Sequence, residues 1–106
     1  MNEVERTILG KFKSLIMKKI NLYKMILFGS RARGDAFAFS DMDVMIIINN
    51  SVSENELDYI SDCAWEAGFE YGIVVVPVVF SRDEWENSPE RYSLLAQAIV
   101  TDGVQL

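Results

Sequence analysis

Two short runs in this chain carry residue types suited to phosphate and metal chemistry. The first is Leu27-Phe28-Gly29-Ser30-Arg31-Ala32-Arg33-Gly34, a hydrophobic strand running into a small turn rich in donors. The second is Ser40-Asp41-Met42-Asp43-Val44, two carboxylates one residue apart at the head of another hydrophobic strand. Backbone amides, a hydroxyl and guanidinium groups bind phosphate oxygens. An Asp-x-Asp pair suits a hard divalent cation. Together the two runs predict a site for a nucleoside triphosphate bound with magnesium.

Each half also has a plainer reading. Gly29 would let the backbone approach a ligand without a Cβ, yet Gly29-Ser30 could equally be a strand-to-helix turn in which the serine only caps the helix. The spacing of Gly29 and Gly34 invites a P-loop reading, but Asp35-Ala36 stands where that motif needs Lys followed by Ser or Thr, so it is rejected. Asp41 could cap a loop, and Asp43 could be a solvated strand residue. Against this, Asp is depleted in strands, and Asp43 is followed by Val-Met-Ile-Ile-Ile, where a charge is unwelcome. Residues two apart on a strand lie ~6.6 Å apart on one face. Their carboxylates can therefore converge on one cation or bridge two that sit about 3.5–4 Å apart.

The bulk numbers narrow the classes. With 106 residues the chain is one domain, and with half its residues apolar and 25% charged it has a globular composition. The longest apolar stretch, residues 73–80, is a strand's length, far short of the roughly 20 residues that span a bilayer. The first residues lack the basic-then-apolar layout of a signal peptide, so a cytoplasmic location and no membrane association are expected. Cys63 is the one cysteine and there is no histidine, which excludes an intramolecular disulfide, Cys-rich metal sites, Ser-His-Asp triads and most zinc sites. A net charge of −6 makes unaided binding of long nucleic acid unfavourable, while a small anion carried with its own cations is compatible with it.

The elements that must position these runs follow from periodicity. Val4, Ile8, Phe12, Leu15, Ile16 and Ile20 recur at helical spacing, with Lys11, Lys13, Lys18 and Lys19 on other faces. Residues 22–28 read as a buried strand, 30–35 as a helical turn and 36–40 as an exposed connection. Residues 41–48 form the second strand, whose alternation sets Asp41, Asp43, Met45 and Ile47 on one face and Met42, Val44, Ile46 and Ile48 on the other. Ser53-x-x-Glu56 is a capping box for a long helix with Leu57, Ile60, Ala64 and Ala67 inward and Gly68 as its stop. Residues 71–80 are a third strand, with Pro77 implying an edge or a bulge. Ser81-x-x-Glu84 caps a short helix, Ser88-Pro89 opens the last one, and residues 104–106 offer a short edge strand. The order is α-β-α-β-α-β-α-α, a mixed sheet with helices packed against it, whose strand directions the order does not fix.

Taken as a combination, Gly-Ser-x-x-x-Gly followed by Ser-Asp-x-Asp-Val resembles the signature of the DNA polymerase β-like nucleotidyltransferase superfamily, above all its minimal stand-alone MNT-type domains. The specific motif lies in residues 27–44, and the general likeness covers most of the chain. The resemblance implies an α/β (α+β) polymerase β-like nucleotidyltransferase fold and transfer of a nucleoside monophosphate from an NTP, ATP being expected, to an acceptor hydroxyl. It implies that Gly29 and Ser30 hold the β/γ phosphates, that Asp41 and Asp43 bind the Mg2+ ions as the catalytic pair, and that Arg31 or Arg33 supports the triphosphate. Proteins of this kind pair with a small helical HEPN protein for which the MNT partner is the antitoxin. A partner protein, its tyrosine as a candidate acceptor, or a homo-oligomer is therefore expected.

One departure from the pattern stands out. Catalytic members place a third carboxylate on the third strand, and here that strand reads Ile73-Val74-Val75-Val76-Pro77-Val78-Val79-Phe80. Glu70 lies before it, with Asp83 and Glu84 after it. The rival expectation is accordingly a non-catalytic module that binds nucleotide or partner. Trp65 and Trp85 are expected in the core or at an interface, and Met25, Met42 and Met45 in strand packing. Asp58 and Asp62 are expected on a solvated helix face.

Overall fold

The computed structural model describes residues 1–87 and 94–106. Its elements run α1 (Glu3–Met17), β1 (Leu22–Phe28), α2 (Ser30–Arg33), β2 (Met42–Ile48), α3 (Glu54–Phe69), β3 (Val75–Ser81), α4 (Arg82–Asn87), α5 (Leu94–Asp102) and β4 (Val104–Gln105). The four strands form one sheet in the order β3-β2-β1-β4. β1 is antiparallel to both β2 and β4, while β2 and β3 are parallel. The parallel pair is possible because α3 provides the crossover that parallel strands require.

The alternation of β2 sorts the interior into two layers. Met42, Val44, Ile46 and Ile48 join Met25 and Leu27 of β1 beneath α1 and α3, against Ile8, Phe12, Ile16, Ile60 and Ala64. Met45 and Ile47 face the other way with Phe28, and Ile99 of α5 covers them, with Phe80 and Trp85 packed alongside. Every residue of β2 is buried except Asp43, which is half-buried. The position where burial fails is thus the one whose charge resists burial.

Helix ends are fixed by side chains. Ser53 and Glu56 form the expected reciprocal capping box on α3, and Asn2 with Glu5 forms a second one on α1. Ser81 and Glu84 exchange the same pair of bonds at the start of α4. Three expectations are corrected. Val4 and Leu57 lie outward, at 40% and 41% exposed; on α1 the inward positions go instead to Glu5 and Leu9. Gly68 does not end α3, which runs on to Phe69. A Cβ on Gly68 would collide with the Ile73 carbonyl, so this glycine serves close packing of α3 on the chain leading into β3. The reversal falls at Gly72, with φ +66°, and β3 accordingly starts later than the apolar run suggests, at Val75. Pro77 sits on an edge strand as expected, and β4 forms at the opposite edge. The Ser88-Pro89 helix start lies outside the described residues. Among the described residues no helix is long and apolar enough to cross a membrane.

Candidate nucleotide and metal site

Strand register brings the two runs together. In the antiparallel β1–β2 pair Phe28 stands opposite Asp43, so the residue after Phe28 emerges beside the Asp43 side chain. That residue is Gly29, with φ +77°, a left-handed conformation that glycine adopts without strain. A Cβ built on Gly29 would lie 2.5 Å from Oδ2 of Asp43. The missing side chain is the space in which the carboxylate lies against the bend. The Ala32 and Arg33 amides both donate to the Gly29 carbonyl at 3.1 Å, and Asp35 N–H donates to Ser30 O, which closes the turn. α2 has only four residues, too short for a meaningful macrodipole. The donors offered here are individual amides and the Ser30 hydroxyl.

Asp41 lies just outside β2, exposed, two residues from Asp43 and on the same side of the sheet. Burial pushes the Asp43 carboxyl above its ordinary range, the neighbouring Asp41 carboxylate pushes it further, and the Arg33 guanidinium pulls it back in part. A partly buried carboxylate whose proton affinity is raised by burial and by a neighbouring carboxylate marks a place where a cation is favourable, because it removes both the desolvation penalty and the repulsion. The donor set fits a magnesium ion that takes few protein oxygens and completes its octahedron with phosphate oxygens and water. Arg33 is exposed, bonded to Asp35 at 3.4 Å, and carries its charge close enough to act on Asp43.

Arg31 has a different position. It is 6% exposed and its NH1 group donates to Glu5 Oε2 at 3.1 Å. Its Nε donates to the Ser40 carbonyl at 3.0 Å, and NH2 donates to the carbonyls of Ala38 at 3.0 Å and Ser40 at 2.8 Å. The other oxygen of Glu5 accepts the Asn2 amide in the α1 capping box. Of the four phosphate-binding candidates, the structure sets Gly29 against Asp43, with Ser30 next in the turn and Arg33 close enough to act on Asp43, and turns Arg31 inward, where it pins the loop that delivers Asp41. Glu5 was not foreseen as its partner. The signal was present in Asn2-x-x-Glu5, a capping box that places an acid at the inner end of the first turn.

The register also decides the third acid. Val76 pairs with Asp43, and Met42 N–H donates to the Val74 carbonyl, so Val74 and Val76 flank the dyad where an acid on β3 would stand. Asp83 and Glu84 lie beyond Ser81, which pairs with Ile48 at the far end of the sheet. Glu70 is exposed at the end of α3. None of the three reaches the site, and among the described residues no cluster of three or more metal-ligating acids, cysteines or histidines is present.

Residues 6–97 match the nucleotidyltransferase domain family. Two Methanocaldococcus jannaschii proteins, each named "Putative protein adenylyltransferase", are similar in sequence. One is 34% identical over 89 residues, covering 76% of this chain and 90% of its own. The other is 38% identical over 60 residues, covering 57% of this chain and 55% of its own. Among solved structures, a toxin-antitoxin protein crystallised with AMP-PNP shares the fold with TM-score 0.63 at 22% identity, over 91% of this chain and 69% of that one. A complex of tri-AMPylated Shewanella oneidensis HEPN toxin with MNT antitoxin gives TM-score 0.58 at 18% identity, over 96% of this chain and 70% of the matched chain. The chain belongs to the nucleotidyltransferase domain family. It is a minimal nucleotidyltransferase with the polymerase β-like fold.

Proposed function

We propose that this protein transfers AMP from magnesium-bound ATP to a hydroxyl on a partner protein, and that it does so as the MNT-type member of a HEPN/MNT-like pair in the cytoplasm. The observation that carries the reading is the Asp43 carboxylate lying against the Cβ-less Gly29, beside Asp41 and within the field of Arg33. Support for adenylyl transfer and for a protein acceptor comes from the names of the similar proteins.

In the reaction, the acceptor oxygen bonds to the α-phosphorus while the bond from that phosphorus to the bridging oxygen of the β-phosphate breaks. Pyrophosphate leaves and the hydroxyl proton passes to water, to which Asp41 is open. Gly29 and Ser30 would hold the β/γ phosphates at the bend, so that the pyrophosphate departs in line with the attack. Asp41 and Asp43 would hold Mg2+, which neutralises the phosphates and acidifies the attacking hydroxyl. Arg33 would balance charge on the triphosphate. Arg31 would act as a positioning residue that fixes the loop before Asp41.

The hydrophobic Val76 beside Asp43 favours a second reading, a nucleotide- or partner-binding module without catalysis. Incubation with α-labelled ATP, magnesium and the candidate partner decides between the two. Label on the partner, lost on Asp41→Ala/Asp43→Ala, supports transfer, with an expected loss of about 10³-fold. Absence of label, with partner binding unchanged in the double variant, supports the module.

A further inference from the structure

The long helix and the open sheet edge next to the dyad carry a second surface. A groove of about 560 Å³ runs between α3 and β3, lined by Ala64, Trp65, Gly68, Phe69, Val74 and Val76. Trp65 and Phe69 are each 67% exposed and Val74 is 61% exposed. The two aromatic rings stack with centroids 4.6 Å apart, so they form one preassembled platform. Exposed tryptophan and phenylalanine clustered in a groove are a signature of an interface, since neither gains from contact with water.

The groove borders the same sheet edge as the site, on the opposite face. β3 is an edge strand, and β2 lies about 4.8 Å away as its hydrogen-bonded neighbour. Val76 in the groove pairs with Asp43. Phe39, 77% exposed and two residues before Asp41, approaches Gly72 at the groove's end, its Cε1 3.9 Å from where a Cβ would stand. Because α3 covers the face of the sheet opposite Asp43, an occupant of the groove comes to the dyad by passing around the β3 edge, past Val74 and Val76.

Charge selects the occupant. Residues 34–81 contain Asp35, Asp41, Asp43, Glu54, Glu56, Asp58, Asp62, Glu66 and Glu70 and no lysine or arginine. Asp58, Asp62, Trp65 and Phe69 fall on one helical stripe, so the aromatic platform continues directly into exposed carboxylates. A second copy of this chain would set acid against acid across such a contact, and nucleic acid or an anionic membrane would be repelled.

We infer that the α3–β3 groove docks a basic amphipathic segment of the acceptor protein, apolar side chains on Trp65, Phe69 and Val74 and lysines or arginines against Asp58 and Asp62, and thereby holds the acceptor at the sheet edge around which its hydroxyl reaches the dyad. The word acceptor rests on the proposed transfer reaction; the docking itself does not.

The test uses the full chain carrying Trp85→Phe, so that emission reports Trp65. The probe is a synthetic amphipathic peptide of Leu and Lys with one Tyr, beside a counterpart with Glu for Lys. The expected result is a saturable blue shift with the basic peptide, weakened by salt. Phe69→Ser/Val74→Ser, verified as folded by circular dichroism, should weaken it about tenfold or more. Asp58→Lys/Asp62→Lys, which leaves the apolar platform intact, should weaken it as well. The inference is overturned if the basic peptide gives no shift, if the Glu peptide binds equally, or if either variant binds as tightly as its parent. It is also overturned if sedimentation shows a dimer that Phe69→Ser/Val74→Ser dissolves, since the groove would then belong to a second copy. Calorimetry with MgATP is run separately on the parent: failure there sinks the nucleotidyl reading and leaves peptide docking standing, whereas ATP binding without peptide binding sinks the docking alone.

Discussion

Two sets of charges sit at either end of one loop, and they have been treated in opposite ways. At one end Arg31 and Glu5 are both buried, bonded to each other at 3.1 Å, and their remaining polar atoms meet backbone carbonyls and the Asn2 amide. At the other end burial and the neighbouring Asp41 both disfavour the charge on Asp43, and Arg33 is the nearby cation that acts on it. A buried charge that is fully partnered fixes structure. A pair of like charges left facing each other is a cost that folding alone does not explain, and it points to a ligand that removes it. The first set holds the loop so that the second can be held in place.

The comparison breaks most severely if the satisfied end is disturbed. Glu5→Ala leaves Arg31 buried without its counter-charge and removes the α1 capping box, so we expect a loss of about 3 kcal/mol, read by urea unfolding. Replacing both members with apolar residues of similar size should recover most of that loss. A variant as stable as the parent would mean that Arg31 does not depend on Glu5.

Gly29→Ala attacks the unsatisfied end sterically. The new Cβ would meet the Asp43 carboxylate at a backbone conformation unsuited to it, so the carboxylate must move away from the bend. Adenylyl transfer should fall about 100-fold, since displacements on the order of 1 Å have that effect. Label-transfer rates near the parent's would separate the bend from the chemistry.

The smallest effect sharpens the contrast most. The Asp43 pKa is raised in the folded protein, so the fold holds this proton more tightly than the unfolded chain does. By linkage, metal-free protein loses stability as pH rises through that range and is relieved when Asp43 is protonated. Asp43→Asn should therefore stabilise the metal-free protein at neutral pH by less than about 1 kcal/mol, a rise of a few degrees in Tm, while abolishing transfer. The gain should vanish at low pH, and magnesium should raise the Tm of the parent at neutral pH more than in acid. Calorimetric scans across pH with and without magnesium measure all of this, and destabilisation by Asp43→Asn at neutral pH would contradict the contrast.

Much of the fold was legible because its signals are local. Residues 22–28 are a mostly apolar run that stops at Gly29, residues 41–48 alternate between two faces, the capping boxes at Ser53 and Ser81 declare helix starts, and Pro77 announces an edge. Helix faces were read less well where one turn carries several apolar residues. Val4 and Leu57 fit the period yet lie outward, because the inward places on α1 are held by Glu5 and Leu9 and on α3 by Ile60, Cys63 and Ala64. Gly68 resembled a helix stop because glycine commonly ends helices; its actual constraint, the Ile73 carbonyl pressed against its Cα, is a contact between elements that no local pattern encodes.

The sequence by itself determined the pair of runs, their spacing and the family to which they point, since phosphate and metal chemistry dictate residue types one can read in order. Only the tertiary structure decided which of these residues meet. Strand register set Gly29 against Asp43 and Val76 at the place of a third acid, and it sent Asp83 and Glu84 to the far end of the sheet. Packing of α1 beside the loop turned Arg31 inward to Glu5 while its neighbour Arg33 stayed at the site. Two arginines separated by one residue look alike in sequence; only the partner that each meets across the fold tells them apart, because burial makes a charge seek a counter-charge and exposure does not.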